Sequence, residues 1–341
     1  MSTIKDIAQA AGVSVTTVSN VIHHRKTRVA PQTIERINKI IEMYNYVPNM
    51  SARALVSKSS RIIGVINHLF QAQPISFLQD PFHAALLGGI EKTLRERGYY
   101  MMIRTVADED ELYSLFNNWN LGGVILTGLF DDSFFTRLLE ANKPLVLLDS
   151  YIKNDKIINV GLEDYRGGFM AVQHLIDKGH RNIIFAAPPF HKHGVIEERF
   201  KGYRSALRKN NIPFSPGNVY RKELTIDEGI ALGLELSLRR DITAVFATAD
   251  ILAAGIITGL ARGKRRVPRD ISIIGFDDVF FNPIITPPLT TIHQNVVEKG
   301  TVAAGIMMDC LEGKEPESRN IVLPVSLVER DSVRDIRGSG R

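Results

Sequence analysis

The 341-residue sequence predicts a small all-α helix-turn-helix headpiece followed by a two-lobed α/β domain built on parallel sheets. Two short helical patterns separated by a glycine turn open the chain. Apolar runs then alternate with amphipathic helical patterns, and these runs are too many for one simple sheet. The chain is also longer than one ordinary hydrophobic core can organise. We therefore expect a headpiece over 1–48, a hinge helix and linker over 49–61, and a body over 62–341.

Three short helices account for the headpiece. Thr3 suits the N-cap of the first helix, and Asp6 suits the exposed amides of its first turn. Gly12 ends this helix, where a left-handed residue is needed. The apolar face of the first helix comprises Ile4, Ile7, Ala8 and Ala11.

The second and third helices have equally clear starts. Ser14 caps a helix over 15–22, and Pro31 fits the first position of a helix over 31–44. The 3.6-residue period places one apolar stripe of the third helix against the first two helices. That stripe comprises Ile34, Ile37, Ile41 and Tyr44.

A short hinge segment follows the headpiece. Asn49 can cap one or two helical turns that contain Ala52 and Leu55. An isolated helix of this length is marginal in water. We expect it to form only against DNA or a second copy of the chain.

The body alternates short apolar runs with helical patterns, such as 82–94, which ends at Gly98. Repeated strand-helix-strand units predict parallel sheets covered by helices on both faces. Ligands bind such sheets beyond the carboxyl ends of the strands, so a cleft between two lobes is the expected site. The strand candidates are 62–66, 100–103, 124–126, 145–148, 183–187, 244–247 and 271–274.

Composition and charge narrow the functional classes. Hydrophobic residues make up 44% and charged residues 23% of the chain, which argues against a disordered or fibrous protein. No apolar stretch reaches the roughly 20 residues of a membrane span, and no secretory signal is recognisable. The single cysteine, Cys310, allows no internal disulfide and fits a reducing compartment. We expect a cytoplasmic protein without membrane contact.

The basic residues are concentrated at one end. Residues 1–61 hold nine Lys/Arg and three Asp/Glu, a net charge of +6, whereas the remainder holds 33 basic and 34 acidic residues. This asymmetry favours a polyanion at the amino-terminal end. A merely soluble surface is the alternative on charge alone.

The run from Thr3 to Ile22, the Tyr46-Val47-Pro48-Asn49 step and the hinge resemble the LacI/GalR family of bacterial repressors. The resemblance implies that the second helix lies in the major groove, where Val15, Thr16 and Asn20 read base edges. Asparagine can pair with adenine, and valine can touch a thymine methyl group. The family often has arginine at the position of Asn20, which implies a different operator base. The other DNA-binding positions are Thr3, Ser14, Thr17, Ser19 and Arg28, of which Ser14, Thr17 and Ser19 suit phosphates.

By the same resemblance, hinge residues Asn49, Ala52 and Leu55 of a homodimer enter the minor groove. Leu55 is expected to wedge into the central base step. A buried contact between linker and body is the alternative role for Leu55. Two-fold symmetry implies a pseudo-palindromic double-stranded operator.

The body resembles the same family, whose effector domain is similar to periplasmic sugar-binding proteins. The resemblance implies three crossovers between the lobes. The first lobe is expected over 62–160 and 291–320, and the second over 161–290 and 321–341. The runs that carry the resemblance are Gly179-His180-Arg181, Arg199-Phe200-Lys201-Gly202-Tyr203, Gly275-Phe276-Asp277-Asp278 and 287–292.

The resemblance further implies that Asp149, Arg199 and Asp277 bind a small effector. A carboxylate accepts from hydroxyls or ring N–H groups, and arginine donates in a rigid fork. A salt bridge between Arg199 and Asp277 across the closed cleft is the alternative. Phe82 is a candidate stacking platform, and Leu224 stands where the family commonly has an aromatic residue.

Several positions depart from the sugar-binding pattern. Ala249 stands where the family often has asparagine, and Glu163-Asp164 replaces the usual Asp-Asn. Despite these departures, the family resemblance makes a sugar or sugar derivative the leading expectation for the effector. The loop with His191, Lys192 and His193 would favour an anionic sugar acid or phosphate if it approached the cleft; simple exposure is the alternative.

Catalytic and cofactor motifs are absent. The sequence lacks a zinc pattern and a nucleophile turn, and 259–264 only faintly resembles a phosphate loop. We expect no metal, no cofactor and no enzymatic activity. The sequence favours an allosteric repressor of a carbohydrate-related operon over two alternatives, a DNA-binding regulator controlled by a protein partner and a solute-binding protein.

Overall fold

The computed structural model describes residues 3–22, 29–46, 60–68, 77–128, 136–140, 143–152, 154–190 and 192–338. The chain divides into two compact units, Met1–Ser60 and Arg61–Arg341. Each unit has its own hydrophobic core.

The first unit contains α1 (Ile4–Ala11), α2 (Val15–Ile22) and α3 (Pro31–Met43). Thr3 and Asp6 form a reciprocal capping box at the start of α1, and Gly12 ends that helix with φ of 63°. Both features match the sequence prediction. The buried core comprises Ile7, Ala8, Ala11, Val18, Val21, Ile37 and Ile40.

One part of the predicted α3 stripe is wrong. Tyr44 is 42% exposed, because α3 ends at Met43 and Tyr44 is its C-cap residue. Ile40, three residues after Ile37, is buried instead.

The second unit contains two six-stranded sheets, which confirms the predicted fold class. The strands of the first sheet are β1 (Ile62–Asn67), β2 (Tyr100–Thr105), β3 (Gly123–Thr127), β4 (Leu145–Leu148), β5 (Ile158–Leu162) and β11 (Asn320–Leu323). They lie in the order β11-β5-β4-β3-β1-β2, and all are parallel. The helices of this lobe are α4 (Pro81–Glu96), α5 (Glu109–Asn118), α6 (Thr136–Glu140) and α11 (Val296–Leu311).

The second sheet has the order β12-β10-β9-β8-β6-β7 and is parallel except for β12 against β10. Its strands are β6 (Ile183–Ala187), β7 (Val219–Arg221), β8 (Ala244–Ala247), β9 (Ser272–Asp277), β10 (Thr290–His293) and β12 (Ser326–Val328). Its helices are α7 (Asp164–Asp177), α8 (Val195–Lys209), α9 (Ile226–Ser237) and α10 (Asp250–Arg262).

The chain passes from one lobe to the other three times. It leaves the first sheet after β5, returns after β10 to form α11 and β11, and leaves again to form β12. As a result, the carboxyl ends of β4 and β9 carry Asp149 and Asp277, in different lobes.

Close helix packing in the second lobe positions one of the predicted ligand residues. α7 and α8 approach so closely that a Cβ on Gly168 would lie 2.3 Å from the Arg199 carbonyl oxygen. Only glycine permits this backbone approach. This close approach holds Arg199, on α8, beside the first turns of α7.

No helix in the described part of the chain is long and apolar enough to cross a membrane.

Candidate functional site

The amino-terminal half of α2 forms the candidate nucleic-acid surface. Val15 is 40% exposed, and Thr16 is exposed beside it. Val18 and Val21 point the other way, into the headpiece core. Asn20 is half-buried on the same helix. α2 therefore presents short polar and apolar side chains outward from a rigid scaffold.

Three of the predicted phosphate-contacting or flanking hydroxyls also have local roles. The Ser14 hydroxyl accepts from the Thr17 backbone N–H at 3.1 Å and lies 2.9 Å from the Thr17 hydroxyl. The Thr3 hydroxyl donates to Asp6 at 2.9 Å. Ser19 is half-buried. Caps of this kind fix the start of each helix.

Other predicted residues lie outside the described part of the chain. These are Arg28, Asn49, Ala52, Leu55 and His191.

Asp149 follows β4 in a left-handed conformation with φ of 57°. Its two carboxylate oxygens accept from Nζ of Lys299 at 2.7 and 2.9 Å. The Lys299 side chain is fully buried, whereas that of Asp149 is 20% exposed. Lys299 also lies 5.2 Å from the ring centroid of Phe82. The first lobe thus offers a carboxylate whose negative charge is largely balanced by the buried ammonium group of Lys299.

Arg199 is held within the second lobe. Its Nε donates to Asp164 Oδ1 at 2.8 Å, its Nη1 donates to the Thr248 carbonyl oxygen at 2.7 Å, and its guanidinium stacks 3.5 Å from the Phe276 ring centroid. No described residue accepts a hydrogen bond from Nη2 of Arg199. The alternative of a cross-cleft salt bridge between Arg199 and Asp277 is wrong, since Asp164 is the ion-pair partner.

Asp164 links the two lobes through a tyrosine. The hydroxyl oxygen of Tyr151, in the segment after β4, lies 2.8 Å from Asp164 Oδ2 and 2.9 Å from the Leu162 carbonyl oxygen, so its one proton is shared between these two acceptors. The Tyr151 backbone N–H donates to the His193 carbonyl oxygen at 2.9 Å. Burial, opposed by Arg199 and reinforced by Asp149, raises the pKa of Asp164.

Asp277 ends β9 with φ of 114°, a strained value for a residue with a side chain. Its Oδ1 accepts from Gln294 Nε2 at 2.6 Å. Burial first, and then Asp250 and Asp80 against the opposing Arg199, hold the pKa of Asp277 well above its ordinary value. Asp80 belongs to the first lobe, so acidic groups of both lobes meet here.

A second carboxylate supports the loop after β9. Asp250 is fully buried and accepts from Val279 N at 3.1 Å, Asn282 Nδ2 at 2.6 Å and Thr291 Oγ1 at 2.7 Å. Burial raises the pKa of Asp250 to about 7, although these three donors oppose the shift. Asp250 therefore fixes the loop that follows Asp277 rather than facing a ligand.

The balance of charge defines what the cleft can bind. The carboxyl groups of Asp80, Asp149, Asp164 and Asp277 interact with two fixed cations, Arg199 and Lys299, and Asp80 also pairs with His83. Two further buried atoms, Thr248 Oγ1 and Gln294 Oε1, have no hydrogen-bond partner within the described residues. Such a site suits a ligand rich in hydroxyl or N–H donors.

The other predicted effector residues take lesser positions. Phe82 is half-buried at the start of α4 and packs on the first-lobe core. Leu224, between β7 and α9, packs on a core cluster of the second lobe. Lys192 and His193 are exposed, as the simpler of the two alternatives for this loop expects.

Lys299, Tyr151 and Gln294 were not predicted from the sequence as site residues. For Lys299 a signal was present, because it occupies a core position of α11 in register with Val296 and Ala303, which are both buried. A lysine at a buried register requires a charge partner. Tyr151 and Gln294 lie in irregular segments without a periodic signal.

No group of three or more His, Cys, Asp or Glu side chains in the described ranges is arranged to hold a metal ion.

Comparison with known proteins gives two family matches. Residues 3–49 match the family described as "Bacterial regulatory proteins, lacI family", and residues 172–333 match a "Periplasmic binding protein-like domain". The chain is 30% identical over 345 residues to the HTH-type transcriptional repressor PurR of Actinobacillus pleuropneumoniae, covering 98% of this chain and 99% of that protein.

Solved structures are similar over comparable lengths. A lac repressor dimer bound to operator and the anti-inducer ONPF has a TM-score of 0.83 at 25% identity, covering 98% of this chain and 99% of that one. A LacI family regulator from Enterococcus faecium with bound ribose has a TM-score of 0.72 at 28% identity, covering 81% of this chain and all of that one.

Proposed function

Because the chain belongs to the lacI family of bacterial regulatory proteins, we propose that it is a sequence-specific repressor whose DNA affinity is set by a neutral, hydroxyl-rich small molecule bound between the lobes. The observation that carries the ligand class is the excess of acidic side chains over cations at the facing carboxyl ends of the two sheets. Regulation of a carbohydrate-related operon in the cytoplasm follows from this proposal.

The headpiece supplies the DNA contacts in this proposal. Val15, Thr16 and Asn20 meet base edges in the major groove, and Ser14 and Thr17 meet phosphates at the capped start of α2. Hinge residues 49–55 meet the minor groove. The basic charge of residues 1–61 favours this polyanion.

A homodimer is part of the proposal. Ile226, Phe280 and Ile284 of the second lobe are 50%, 78% and 76% exposed, and large apolar side chains of this exposure are available for contact with a second copy of the chain. A similar solved structure is the lac repressor dimer on its operator. A two-fold dimer matches a pseudo-palindromic operator.

The ligand would bridge the lobes through hydrogen bonds to carboxyl groups on both sides. Asp149 offers acceptors from the first lobe, and Asp277 offers from the second the carboxyl oxygen that Gln294 does not bind. Arg199 Nη2 adds one donor for a ligand oxygen. The cross-lobe bonds of Tyr151 would respond to the angle between the lobes, and the hinge would respond to the same angle.

A neutral ligand fits better than an anion. An added phosphate or carboxylate would lie among Asp80, Asp149 and Asp277 with both cations already paired. A negative charge on the ligand and the negative charges of these carboxylates repel each other strongly in a partly buried site. We therefore propose a neutral sugar in place of the sugar acid or phosphate; the similar regulator with bound ribose supports this choice.

A thermal-shift screen tests the proposal. Neutral sugars, the matching sugar acids and the matching sugar phosphates are compared at equal concentration with wild-type protein and with Asp277→Asn. A ligand at 100 times its Kd adds about 2.7 kcal/mol to the free energy of unfolding. We expect a neutral sugar to stabilise the wild type and to have little effect on the variant.

The screen also separates the alternatives. Stabilisation by acids or phosphates alone would contradict the proposed ligand class. A folded, DNA-binding protein that no small molecule stabilises would favour control by a protein partner. Sugar binding without any salt-dependent binding of duplex DNA would favour a solute-binding protein. Turnover of the bound sugar would contradict our proposal that the protein is not an enzyme.

A further inference from the structure

The amino ends of the second-sheet strands form a surface separate from the cleft. Four segments meet there, 178–182, 237–243, 261–271 and 331–338, which we call the basic pole. They hold eleven Lys/Arg and four Asp/Glu, a net charge of +7 in 31 residues. The body as a whole is nearly neutral, so the part of the body outside the basic pole must be acidic. Charge in the second unit is strongly segregated.

Hydrogen bonds tie these segments together. Asn182 Nδ2 donates to the Asp241 backbone and side chain at 2.9 and 3.0 Å. Arg265, which is buried, donates to the carbonyl oxygens of Arg239 at 2.9 Å and Asp270 at 3.1 Å. The cations on these loops therefore share one rigid surface.

The tail completes the surface. The Ile336 backbone N–H donates to the Lys178 carbonyl oxygen at 2.8 Å, and the Arg334 backbone N–H donates to Ser272 Oγ at 3.0 Å. The last described segment therefore runs beside the loops before β6 and β9.

Within the described residues, most cations of the pole form no ion pair with a carboxylate. Arg239 pairs with Asp241, Arg337 with Asp335 and Lys178 with Glu329. The exposed cations that form no ion pair within the described residues are Arg181, Arg240, Arg262, Lys264, Arg266, Arg269 and Arg334. Burial and the nearby Arg240 lower the pKa of Arg265, as expected where like charges crowd together.

Helix ends explain only part of this clustering. Cations are favoured in the last turn of a helix, which accounts for Arg262 at the end of α10 and for Arg240 soon after α9. Arg181, Arg266 and Arg269 lie in loops outside any last turn. Repulsion among these cations opposes the fold and is relieved by a polyanion.

We propose that the basic pole binds the phosphate backbone of duplex DNA, separately from the headpiece. Several arginines that form no ion pair within the described residues share this surface, and they suit phosphates, to which the guanidinium fork donates two parallel bonds. Duplex DNA is also the polyanion already concentrated around a DNA-binding protein. One molecule could then hold its operator and a second stretch of duplex.

The test uses four full-length proteins and a fluorescent 30-base-pair duplex of arbitrary sequence. The pole variant is Arg240→Glu/Arg269→Glu. The matched control is Arg204→Glu/Arg208→Glu on α8, which changes net charge equally at exposed arginines that also form no ion pair within the described residues. The headpiece variant is Thr16→Glu, and the fourth protein combines the pole and headpiece changes. Anisotropy is measured at several salt concentrations, with unfolding curves for each protein.

We expect the headpiece variant to retain salt-dependent binding that the combined protein loses. Each lost phosphate contact should lower the slope of log affinity against log salt by about 0.9, or about 2 for the two arginines. The control should leave the slope unchanged. The milder Arg240→Gln/Arg269→Gln variant replaces the glutamate variant if the latter unfolds, with the same loss of slope expected.

Three results would overturn the proposal. The first is a headpiece variant that binds no duplex. The second is an equal loss of affinity in the pole and control variants, which would reduce the effect to net charge. The third is displacement of the residual duplex by poly-glutamate at equal charge concentration, which would point instead to an acidic protein partner.

Discussion

The ion pair beneath the cleft gives the sharpest test of how the site is built. Lys299→Met keeps most of the side-chain volume and removes the charge that balances Asp149. Breaking a buried pair from one side typically costs about 3–5 kcal/mol, because the remaining charge is buried alone. Since the Asp149 side chain is 20% exposed, we expect the lower end, about 3 kcal/mol. For a body of this size that lowers Tm by about 6–12 °C.

Calorimetry at one fixed protein concentration measures this effect, since dimerisation makes Tm concentration-dependent. The double variant Lys299→Met/Asp149→Asn should recover most of the loss because both charges are gone. Arg95→Met is the control, since it breaks the exposed Arg95–Glu91 pair on α4 and should cost less than about 0.5 kcal/mol. A loss below about 1 kcal/mol for Lys299→Met, or a double variant no more stable than Lys299→Met, would contradict the role of Lys299 as the buried charge partner of Asp149.

Four further predictions follow from single contacts. Thr3→Ala should cost the headpiece about 1 kcal/mol by removing the N-cap, and an unchanged headpiece melting curve would contradict that role. Gly168→Ala should cost about 1–3 kcal/mol by forcing α7 from α8, whereas Gly88→Ala, with nothing within 4 Å, should add about 0.5–1 kcal/mol in chemical denaturation. Burial raises the pKa of Asp250 to about 7, so the folded chain binds a proton here that the unfolded chain releases at lower pH. The free energy of unfolding of the wild type, relative to that of Asp250→Asn, should therefore fall as pH rises from about 4 to 7 and stay level above pH 7. A stability difference that does not depend on pH would contradict this. Asn20→Ala should cost about 1–3 kcal/mol on a preferred operator and less on random duplex in gel-shift titrations, and equal losses on both would exclude base reading.

Periodicity and capping chemistry predicted most of the fold. The boundaries of α2, β4, β6 and β8 agree with the sequence prediction, because apolar runs bounded by glycine or polar turns have one stable arrangement. The missed strands have mixed or very short patterns. Asn159 and Gly161 interrupt β5, β10 begins with two buried threonines, and β12 has only three residues.

The candidate site was less predictable than the fold. Resemblance identified Asp149, Arg199 and Asp277, but their partners come from residues far away in sequence. Lys299 is 150 positions from Asp149, and Asp164 is 35 positions from Arg199. No local pattern encodes such pairs; they depend on three passages of the chain between the lobes. The acidic balance of the cleft, which favours a neutral sugar among the expected sugars and sugar derivatives, emerges only from that arrangement.

A neutral ligand in the acidic cleft should change the affinity of the protein for DNA. We would measure Kd for a duplex enriched from a random library by this protein, with and without a sugar that stabilises it. Coupling between two sites is typically worth about 5–150-fold, so we predict at least a fivefold change for the wild type and none for Asp277→Asn. If a sugar binds the cleft and leaves the wild-type Kd for DNA unchanged, the cleft does not control DNA binding.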